Sequence, residues 1–313
     1  MTTSNTIPQY DASHYAVVDL GSNSFHLLII RVHNNERIQV NKVKRKVRLA
    51  AGLNQELALN PETIASGLDC LKLFAKHLAT IPVNNISIVA TATLRIATNK
   101  DEFLNQANKI LPLNIKLLSG EQEAETIYKG AAYTCNNKFD KKRLVIDIGG
   151  ASTELIIGQS FNARKVVSLN LGCVSFREQF FTNGQLTEQN INAAINAASE
   201  IINPISSDFI QLGWQSVSGG SGTIQALAEI LSHRQQEIII TPTFLQEIKN
   251  KLIELKSIDN IIFDGLRTDR AAVLTSGLCI LIALFNCLQI KELTLSTGAL
   301  REGLLFEMLS NKA

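Results

Sequence analysis

Residues 145–155 have the sequence VIDIGGASTEL. It begins with apolar residues on both sides of Asp147, continues through two glycines and a set of small and hydroxyl residues to Glu154, and turns apolar again at Leu155. Glycine and small residues let the chain reverse tightly and let backbone N–H groups come close to an anion. The stretch therefore predicts two strands joined by a turn that can hold a phosphate group.

The same pattern occurs 128 residues upstream, where VVDLGSNSFHLLI at 17–29 aligns with VIDIGGASTELII at 145–157. The same offset brings VATAT at 89–93 onto VSGGS at 217–221. Two matches at one offset indicate an internal duplication. We therefore expect each copy to contain a hairpin and a later buried strand that ends in a turn of small and hydroxyl residues.

These turns supply the candidate phosphate-binding residues. An ordinary hairpin is the alternative, but a hairpin needs neither a strand-ending aspartate nor a row of serine and threonine at the reversal. Two such turns can grip two phosphates from opposite walls through their backbone amides. The candidates are Gly21, Ser22, Asn23, Ser24, Gly149, Gly150, Ala151, Ser152, Gly220, Ser221 and Gly222.

An aspartate lies at the end of the strand before each of the first two turns, Gly21 to Ser24 and Gly149 to Ser152. These aspartates predict a metal ion. A carboxylate repels a bound phosphate unless a cation lies between them, so Asp19 and Asp147 suggest Mg²⁺ held partly through water. Glu154, on the strand that leaves the second turn, can complete the metal shell. The residues thus predict a site for a magnesium phosphate.

Composition limits the class of protein. The chain has 313 residues, of which 45% are hydrophobic and 19% charged, and its net charge is +2. This length favours two domains, and this charge provides no overall basic field for a nucleic-acid partner. The five cysteines and five histidines show no metal-ligand spacing, so we expect reduced thiols and no zinc site. The N-terminal residues lack the features of a signal peptide, which predicts a cytoplasmic protein.

One uncharged segment, residues 271–290, has the length of a membrane span. Polar residues such as Thr275 and Ser276 dilute it, and no second segment of this kind follows. A buried core helix is therefore favoured over a membrane anchor.

Seven motifs in order resemble the exopolyphosphatase and guanosine pentaphosphate phosphatase (Ppx/GppA) family. They are AVVDLGSNSFHLLI, ATATLR, LSGEQEAE, LVIDIGGASTELIIG, NLGCVSF, GGSGT and LSTGALREGLL. The resemblance implies two duplicated α/β domains of the actin-like and sugar-kinase-like (ribonuclease H-like) fold, with a cleft between them. The expected domains are 1–118 and 119–297, and the last helix, at about 298–313, is expected to pack back on the first domain.

Two features depart from this family. Ala151 stands where many members have a third glycine, which leaves less backbone freedom in the second turn. Longer members also continue past the point where this sequence ends, into a helical region that the resemblance ties to holding long polymers. We therefore expect a distributive enzyme that releases intermediate chain lengths.

The segment SGEQEAETIYKGAA predicts a helix that begins at Gly120, because Ser119 and the residue three positions later form a capping-box pattern. Glu123 shares a helix side with Ile127 and Gly130, so burial is expected to raise its pKa and suit it to taking a proton from water. From the residues alone, a stabilising interaction with the helix dipole is the alternative. The resemblance assigns Glu123 the role of catalytic base.

Arg95, at the end of ATATLR, matches a family arginine that lines the cleft. The resemblance implies that it balances charge on the transferred phosphoryl group. A structural ion pair is the alternative.

A basic segment lies at 41–52. As a strand, it places Lys42, Lys44, Lys46 and Arg48 on one face. A solvated face is the simpler interpretation, but like charges side by side are costly unless a polyanion compensates them. These four residues are therefore the candidate path for polyphosphate.

The motifs together predict a hydrolase that releases orthophosphate from inorganic polyphosphate by Mg²⁺-assisted attack of water, without a phosphoenzyme. Removal of the 5′-phosphate from guanosine pentaphosphate is the alternative within this chemistry. An ATP-binding kinase, with GGSGT facing adenosine, and a non-catalytic polyphosphate sensor are alternatives of other classes. The expected partner is polyphosphate or guanosine pentaphosphate, with no nucleic acid and no membrane, and a homodimer is compatible with the sequence.

Overall fold

The computed structural model describes residues 9–34, 36–135 and 140–310. The chain divides into two compact units, Met1–Ser119 with Leu304–Ala313, and Gly120–Gly303. The first junction lies between Ser119 and Gly120, and the second lies inside the last helix.

The first unit contains a five-stranded mixed sheet. Its strands are β1 (His14–Leu20), β2 (Ser24–His33), β3 (Glu36–Lys46), β4 (Ile86–Ala90) and β5 (Lys116–Leu117). They are ordered β3-β2-β1-β4-β5, with β1 antiparallel to β2 and parallel to β4. Strand β3 is thus an outer strand of this sheet.

The second unit contains a six-stranded mixed sheet. Its strands are β6 (Arg143–Ile148), β7 (Thr153–Gln159), β8 (Asn162–Leu169), β9 (Ser216–Gly219), β10 (Ile239–Ile240) and β11 (Leu293–Leu295). The order β10-β11-β9-β6-β7-β8 contains β8-β7-β6-β9, which repeats β3-β2-β1-β4 with the same strand directions. The predicted duplication and both predicted hairpins are confirmed.

Ten helices are described. They are α1 (Pro61–Leu78), α2 (Ala92–Ile96), α3 (Lys100–Ile110), α4 (Gly120–Thr134), α5 (Cys173–Phe180), α6 (Glu188–Leu212), α7 (Gly222–His233), α8 (Pro242–Leu255), α9 (Thr268–Leu288) and α10 (Leu300–Ser310). Short 3-10 turns lie at Leu49–Gly52, Val83–Asn85 and Ile258–Asn260. Helix α4 begins at Gly120, as the capping pattern predicts.

Apolar side chains at alternate positions of β2 form part of the core of the first unit. Phe25, Leu27 and Ile29 are buried on one face and belong to the same apolar cluster as residues of α1 and α3. The rings of Phe25 and Phe103 meet edge to face, with centroids 6.3 Å apart. This packing holds β2, and the turn before it, against the helical layer.

The uncharged segment at 271–290 forms most of α9, which packs against α5, α6, α7 and α8 in the second unit. Leu278 and Leu281 are completely buried or nearly so, so the prediction of a core helix is confirmed. Across the described parts of the chain, no helix combines the length and apolarity needed to cross a membrane.

The cysteines are free thiols, as predicted. Cys70, Cys173 and Cys279 are buried, and burial raises the pKa of each to about 12. Because the thiolate is the reactive form, these three side chains behave as small apolar groups.

Candidate active site

Three polar side chains form a row across the sheet of the second unit. Asp147 on β6 lies directly opposite Glu154 on β7, and Glu154 lies directly opposite Ser168 on β8. Opposed residues on antiparallel strands point to the same face, with Cβ atoms about 4.5 to 5.5 Å apart. The Ser168 hydroxyl donates a hydrogen bond to Glu154 Oε1 at 2.7 Å. The structure thus brings two of the three predicted metal ligands side by side.

Glu154 lies in an unfavourable place for a negative charge, because it is only 1% exposed. Burial raises the pKa of its carboxyl well above the usual range, and the charges of Glu123 and Asp147 raise it further. Hydrogen bonds from the Ser152 and Ser168 hydroxyls lower this pKa and offset part of the increase. Three carboxyl groups therefore meet in one region of the second unit, where a cation would relieve their repulsion.

The candidate base, Glu123, reaches this region from the first turn of α4. It is 7% exposed, whereas Glu121 and Glu125 on the same helix are exposed. Ala124 and Ile127 are buried beside it, which agrees with the predicted apolar side of the helix. The carboxylate is therefore placed within the protein by helix periodicity, next to Glu154.

Close packing sets the position of α4 within the second unit. The Tyr128 ring occupies the space that a Cβ at Gly158 on β7 would need. Gly158 lies on the same sheet face as Glu154, since both belong to β7 and are an even number of residues apart. Farther along, Gly130 is in contact with the backbone of Ala299. These contacts place α4 over the face that carries the polar row.

The second turn, Gly149 to Ser152 between β6 and β7, packs against α5. The carbonyls of Gly149 and Gly150 accept hydrogen bonds from the N–H groups of Cys173 and Val174, both at 2.9 Å. Gly172 is required next to it, because a Cβ there would collide with Gly150 and Ala151. Since the carbonyls are committed to α5, the turn can contribute N–H groups to a ligand on its other side.

Ala151 is accommodated in this turn. Among the described residues with positive φ, none lies between Gly149 and Ser152. A third glycine is therefore not needed for backbone conformation, and Ala151 costs the turn little.

The first turn has matching geometry. A Cβ at Gly21 would lie 3.0 Å from the carbonyl oxygen of Ser24, and a Cβ at Gly149 would lie 3.1 Å from that of Ser152. Both distances are tighter than an ordinary contact, which accounts for glycine at the equivalent position of each hairpin. The repeated sequence thus produces a repeated backbone shape.

Two buried hydroxyls of the first unit are candidates to contact a ligand. Within the described residues, Ser24 Oγ and Thr93 Oγ1 are buried and have no hydrogen-bond partner. Ser24 ends the first turn, and Thr93 follows the turn after β4. Because buried polar groups are almost always satisfied, a phosphate oxygen or a water is the expected partner of each.

Three of the four predicted path residues lie on one strand. Lys42, Lys44 and Lys46 are exposed on β3, and Lys46 lies directly opposite Ser24. The expectation for Arg48 is wrong in one respect, because β3 ends before it and Arg48 adopts a left-handed conformation with φ of 58°. Its N–H instead bonds the carbonyl of Asn23, so Arg48 is attached to the first phosphate turn.

The third turn joins β9 to α7. The Ser221 side chain caps the helix by accepting a hydrogen bond from the Ile224 N–H at 3.2 Å. A Cβ at Gly222 would have no described atom within 4 Å, whereas one at Gly220 would lie 3.5 Å from the carbonyl of Gly298. The open space beside Gly222 is therefore compatible with a ligand at this helix end.

Arg95 lies on α2 in the first unit. Its Nη1 donates a hydrogen bond to the carbonyl of Leu118 at 3.1 Å. Leu118 closely precedes the start of α4, so Arg95 helps to anchor the segment that leads to the candidate base. Its role toward phosphate stays a prediction.

Asp19 belongs to the other unit and lies directly opposite His26. In the described ranges, no group of three His, Cys, Asp or Glu side chains is already arranged as a metal site. Mg²⁺ is commonly bound through one or two carboxylates, with waters and substrate phosphates supplying the other ligands. Asp147 and Glu154 fit that mode, because they are paired carboxyls in a region of repelling negative charge.

Two residues contribute to this site without having been predicted from the sequence. Ser168 donates to Glu154, and Gly172 gives the second turn room to pack. Gly172 lies in the motif NLGCVSF, which marks it as a close-approach candidate. Ser168 has no local signal, because its role depends on which residue lies across the sheet.

Known proteins are similar to this chain over most of its length. A guanosine-5′-triphosphate,3′-diphosphate pyrophosphatase from Aliivibrio fischeri is 49% identical over 295 residues, covering 94% of this chain and 59% of that protein. One from Vibrio cholerae is 48% identical over 297 residues, covering 95% and 59%. The chain therefore spans about three fifths of the length of these curated relatives.

Solved structures match the same fold. An exopolyphosphatase from Cytophaga hutchinsonii superposes with a TM-score of 0.85 at 23% identity, covering 95% of this chain and 98% of that one. The Aquifex aeolicus member of the Ppx/GppA family gives a TM-score of 0.78 at 24% identity, with 96% and 99% covered. The predicted fold class is confirmed.

The sequence matches the Ppx/GppA phosphatase family over residues 28–312, which include the hairpin of the second unit, the helix that carries Glu123 and all of the polar row. A match of this extent covers most of both units. The chain belongs to the Ppx/GppA phosphatase family.

Proposed function

We propose that the protein hydrolyses terminal phosphoanhydride bonds and releases orthophosphate. One observation carries this proposal: the buried carboxylate of Glu123 meets the paired carboxyls of Asp147 and Glu154 in one region of the second unit. A base beside a cation-binding pair is the combination that water attack on a phosphate requires.

Glu123 acts as the general base. Its carboxylate takes a proton from a water while the water oxygen forms a bond to the terminal phosphorus. The bridging oxygen leaves on the opposite side with the electron pair of the broken P–O bond, and a chain one phosphate shorter departs. Two hydrolysis products form without a covalent intermediate, so no nucleophilic side chain is needed.

The turns orient the phosphates. In the second unit, amides near Gly150 to Ser152 are proposed to donate to phosphate oxygens. In the first unit, amides near Gly21 to Ser24 and the buried Ser24 hydroxyl are proposed to make phosphate contacts of the same kind. Asp147 and Glu154 are proposed to hold Mg²⁺ in the second unit. The role of Asp19 as a ligand stays a prediction from the sequence. When bound, Mg²⁺ would neutralise charge on the transferred phosphoryl oxygens.

Two substrates are proposed, each for a different reason. Inorganic polyphosphate fits the exposed lysines of β3, because Lys46 lies beside Ser24 and the strand continues away through Lys44 and Lys42. Guanosine-5′-triphosphate,3′-diphosphate is favoured by the names of relatives that are 48% to 49% identical. Both end in the phosphoanhydride that the proposed chemistry attacks.

Phosphate release from polyphosphate, from guanosine-5′-triphosphate,3′-diphosphate and from ATP, measured side by side with Mg²⁺, tests the proposal. We expect release from at least one of the first two, loss of activity in excess chelator, and little release from ATP. Transfer from ATP to an acceptor would favour the kinase alternative. Binding of polyphosphate without release of phosphate would favour the sensor.

A further inference from the structure

We propose that Ser168 is a positioning residue that holds the Glu154 carboxylate in the orientation that binds the cation. The inference rests on the proposed function, because it concerns the same carboxyl pair. The proposal gives β8 a role in the site, although no predicted metal ligand lies on that strand.

The hydrogen bond has the geometry of a strong contact. Ser168 Oγ and Glu154 Oε1 are 2.7 Å apart, close to the usual O–H···O⁻ distance for a charged acceptor. Glu154 is almost fully buried, so water has little access to replace this donor. Losing the hydroxyl would leave a buried carboxylate oxygen poorly satisfied.

The sheet places Ser168 on the side of Glu154 that is opposite Asp147. Strand β7 lies between β6 and β8, so Asp147 and Ser168 flank Glu154 within one row. Asp147 repels the Glu154 carboxylate, whereas Ser168 attracts one of its oxygens. The two effects together fix the plane of the carboxyl group.

The first unit shows that this position does not require serine. Its equivalent row runs from Asp19 through His26 to Lys44, so the third strand carries an exposed lysine there. The same backbone therefore accepts a long cation in one copy and a small hydroxyl in the other. We infer that the serine is present for its hydrogen bond to Glu154 and not for packing.

The test uses Ser168→Ala, with Ser168→Thr to restore the hydroxyl on a residue that strands accept well. Ser206→Ala is the matched control, because that serine lies in the same unit, is partly exposed and donates its hydroxyl to a carbonyl of its own helix. Binding of Mg²⁺ alone is measured by titration calorimetry, and the Mg²⁺ midpoint of hydrolysis is measured separately. The melting temperature without Mg²⁺ checks that each variant is folded.

We expect Ser168→Ala to weaken Mg²⁺ binding by roughly 10-fold, as is typical when a hydrogen-bond partner of a metal ligand is removed. Ser168→Thr should stay within about threefold of the unaltered protein, and Ser206→Ala should not differ from it. Equal Mg²⁺ affinity for Ser168→Ala and the unaltered protein would overturn the positioning role and leave the proposed function standing. If the unaltered protein does not bind Mg²⁺, the positioning role of Ser168 is also overturned. If hydrolysis persists in excess chelator, the proposed role of Mg²⁺ in the reaction is overturned as well.

Discussion

Glu154 lies directly opposite Asp147 across two antiparallel strands, and the equivalent pair in the first unit is His26 opposite Asp19. Both pairs arise from the same duplicated hairpin, so their backbone registers correspond. Their chemistry differs, because one pair joins two carboxyls and the other joins a carboxyl to an imidazole. Of these two pairs, the second joins two carboxyls where the first joins one carboxyl to an imidazole, so the second is the better candidate for the proposed cation.

Replacing Glu123 by Gln should lower kcat by roughly 10² to 10⁴ while substrate binding survives, because the amide keeps size and hydrogen bonding but cannot take the proton. Glu125→Gln is the matched control, since Glu125 is exposed on the same helix. Steady-state kinetics and direct substrate binding measure the two effects. Near-normal turnover in Glu123→Gln would exclude Glu123 as the base.

Asp147→Asn and Glu154→Gln should each raise the Mg²⁺ concentration that gives half-maximal activity, because each removes a negative charge from the neighbourhood of the cation. Glu188→Gln, an exposed change in the same unit, serves as the control. The measurement is phosphate release against Mg²⁺ concentration. Unchanged midpoints in both site variants would exclude this pair as the metal site.

Stability without Mg²⁺ should depend on pH through Glu154. Burial raises the pKa of its carboxyl well above the ordinary value of 4.5, so above pH 4.5 the unfolded chain releases the proton while the native protein retains it. The free energy of unfolding therefore falls as pH rises from about 4.5 toward the raised pKa. Glu154→Gln should lack this contribution and gain stability relative to the unaltered protein across that window.

Chemical denaturation of both proteins at several pH values, in metal-free buffer, measures this difference. Added Mg²⁺ should restore stability to the unaltered protein more than to Glu154→Gln. A stability difference that does not change with pH would show that Glu154 is ionised in the native protein without the cation.

Replacing Lys42 and Lys46 together by Ala should weaken binding of long polyphosphate by about 1 to 3 kcal/mol, at about 0.5 to 1.5 kcal/mol for each charge-assisted contact, and should flatten its salt dependence. Guanosine-5′-triphosphate,3′-diphosphate should be affected less, because it has few phosphates beyond the reacting pair. Lys76 and Lys109, exposed on α1 and α3, provide a control pair of equal charge change. An equal loss for both substrates would argue against a polymer path on β3.

Gly172→Ala should destabilise the second unit by about 1 to 3 kcal/mol, because the added methyl forces the second turn away from α5. Gly222→Ala is the matched control, since a Cβ there has no described neighbour within 4 Å. Thermal unfolding compares the two variants. If Gly172→Ala is as stable as Gly222→Ala, the turn tolerates displacement and its rigid support by α5 is not needed.

The sequence predicted the hairpins, the duplication and the buried side of α4 because each follows from periodicity or from a repeat within a short segment. Glu123 is an example: helix spacing from Ile127 and Gly130 is enough to place it on the apolar side. Arg48 shows the limit of such reasoning. Alternation placed it on β3, but its N–H bonds the carbonyl of Asn23 and the chain leaves the strand.

Ser168 shows why the rest required the fold. The offset of 128 residues that aligns Asp19 with Asp147 does not align Lys44 with Ser168, which are 124 residues apart. The segment from β2 to β3 is longer than the equivalent segment from β7 to β8. Equivalent positions on β3 and β8 are therefore set by strand register and not by a constant sequence offset. The local sequence determined which turns and helices form and which carboxyls they carry. Which hydroxyl meets Glu154 depends on the tertiary fold, because cross-strand pairing brings together residues that are far apart along the chain.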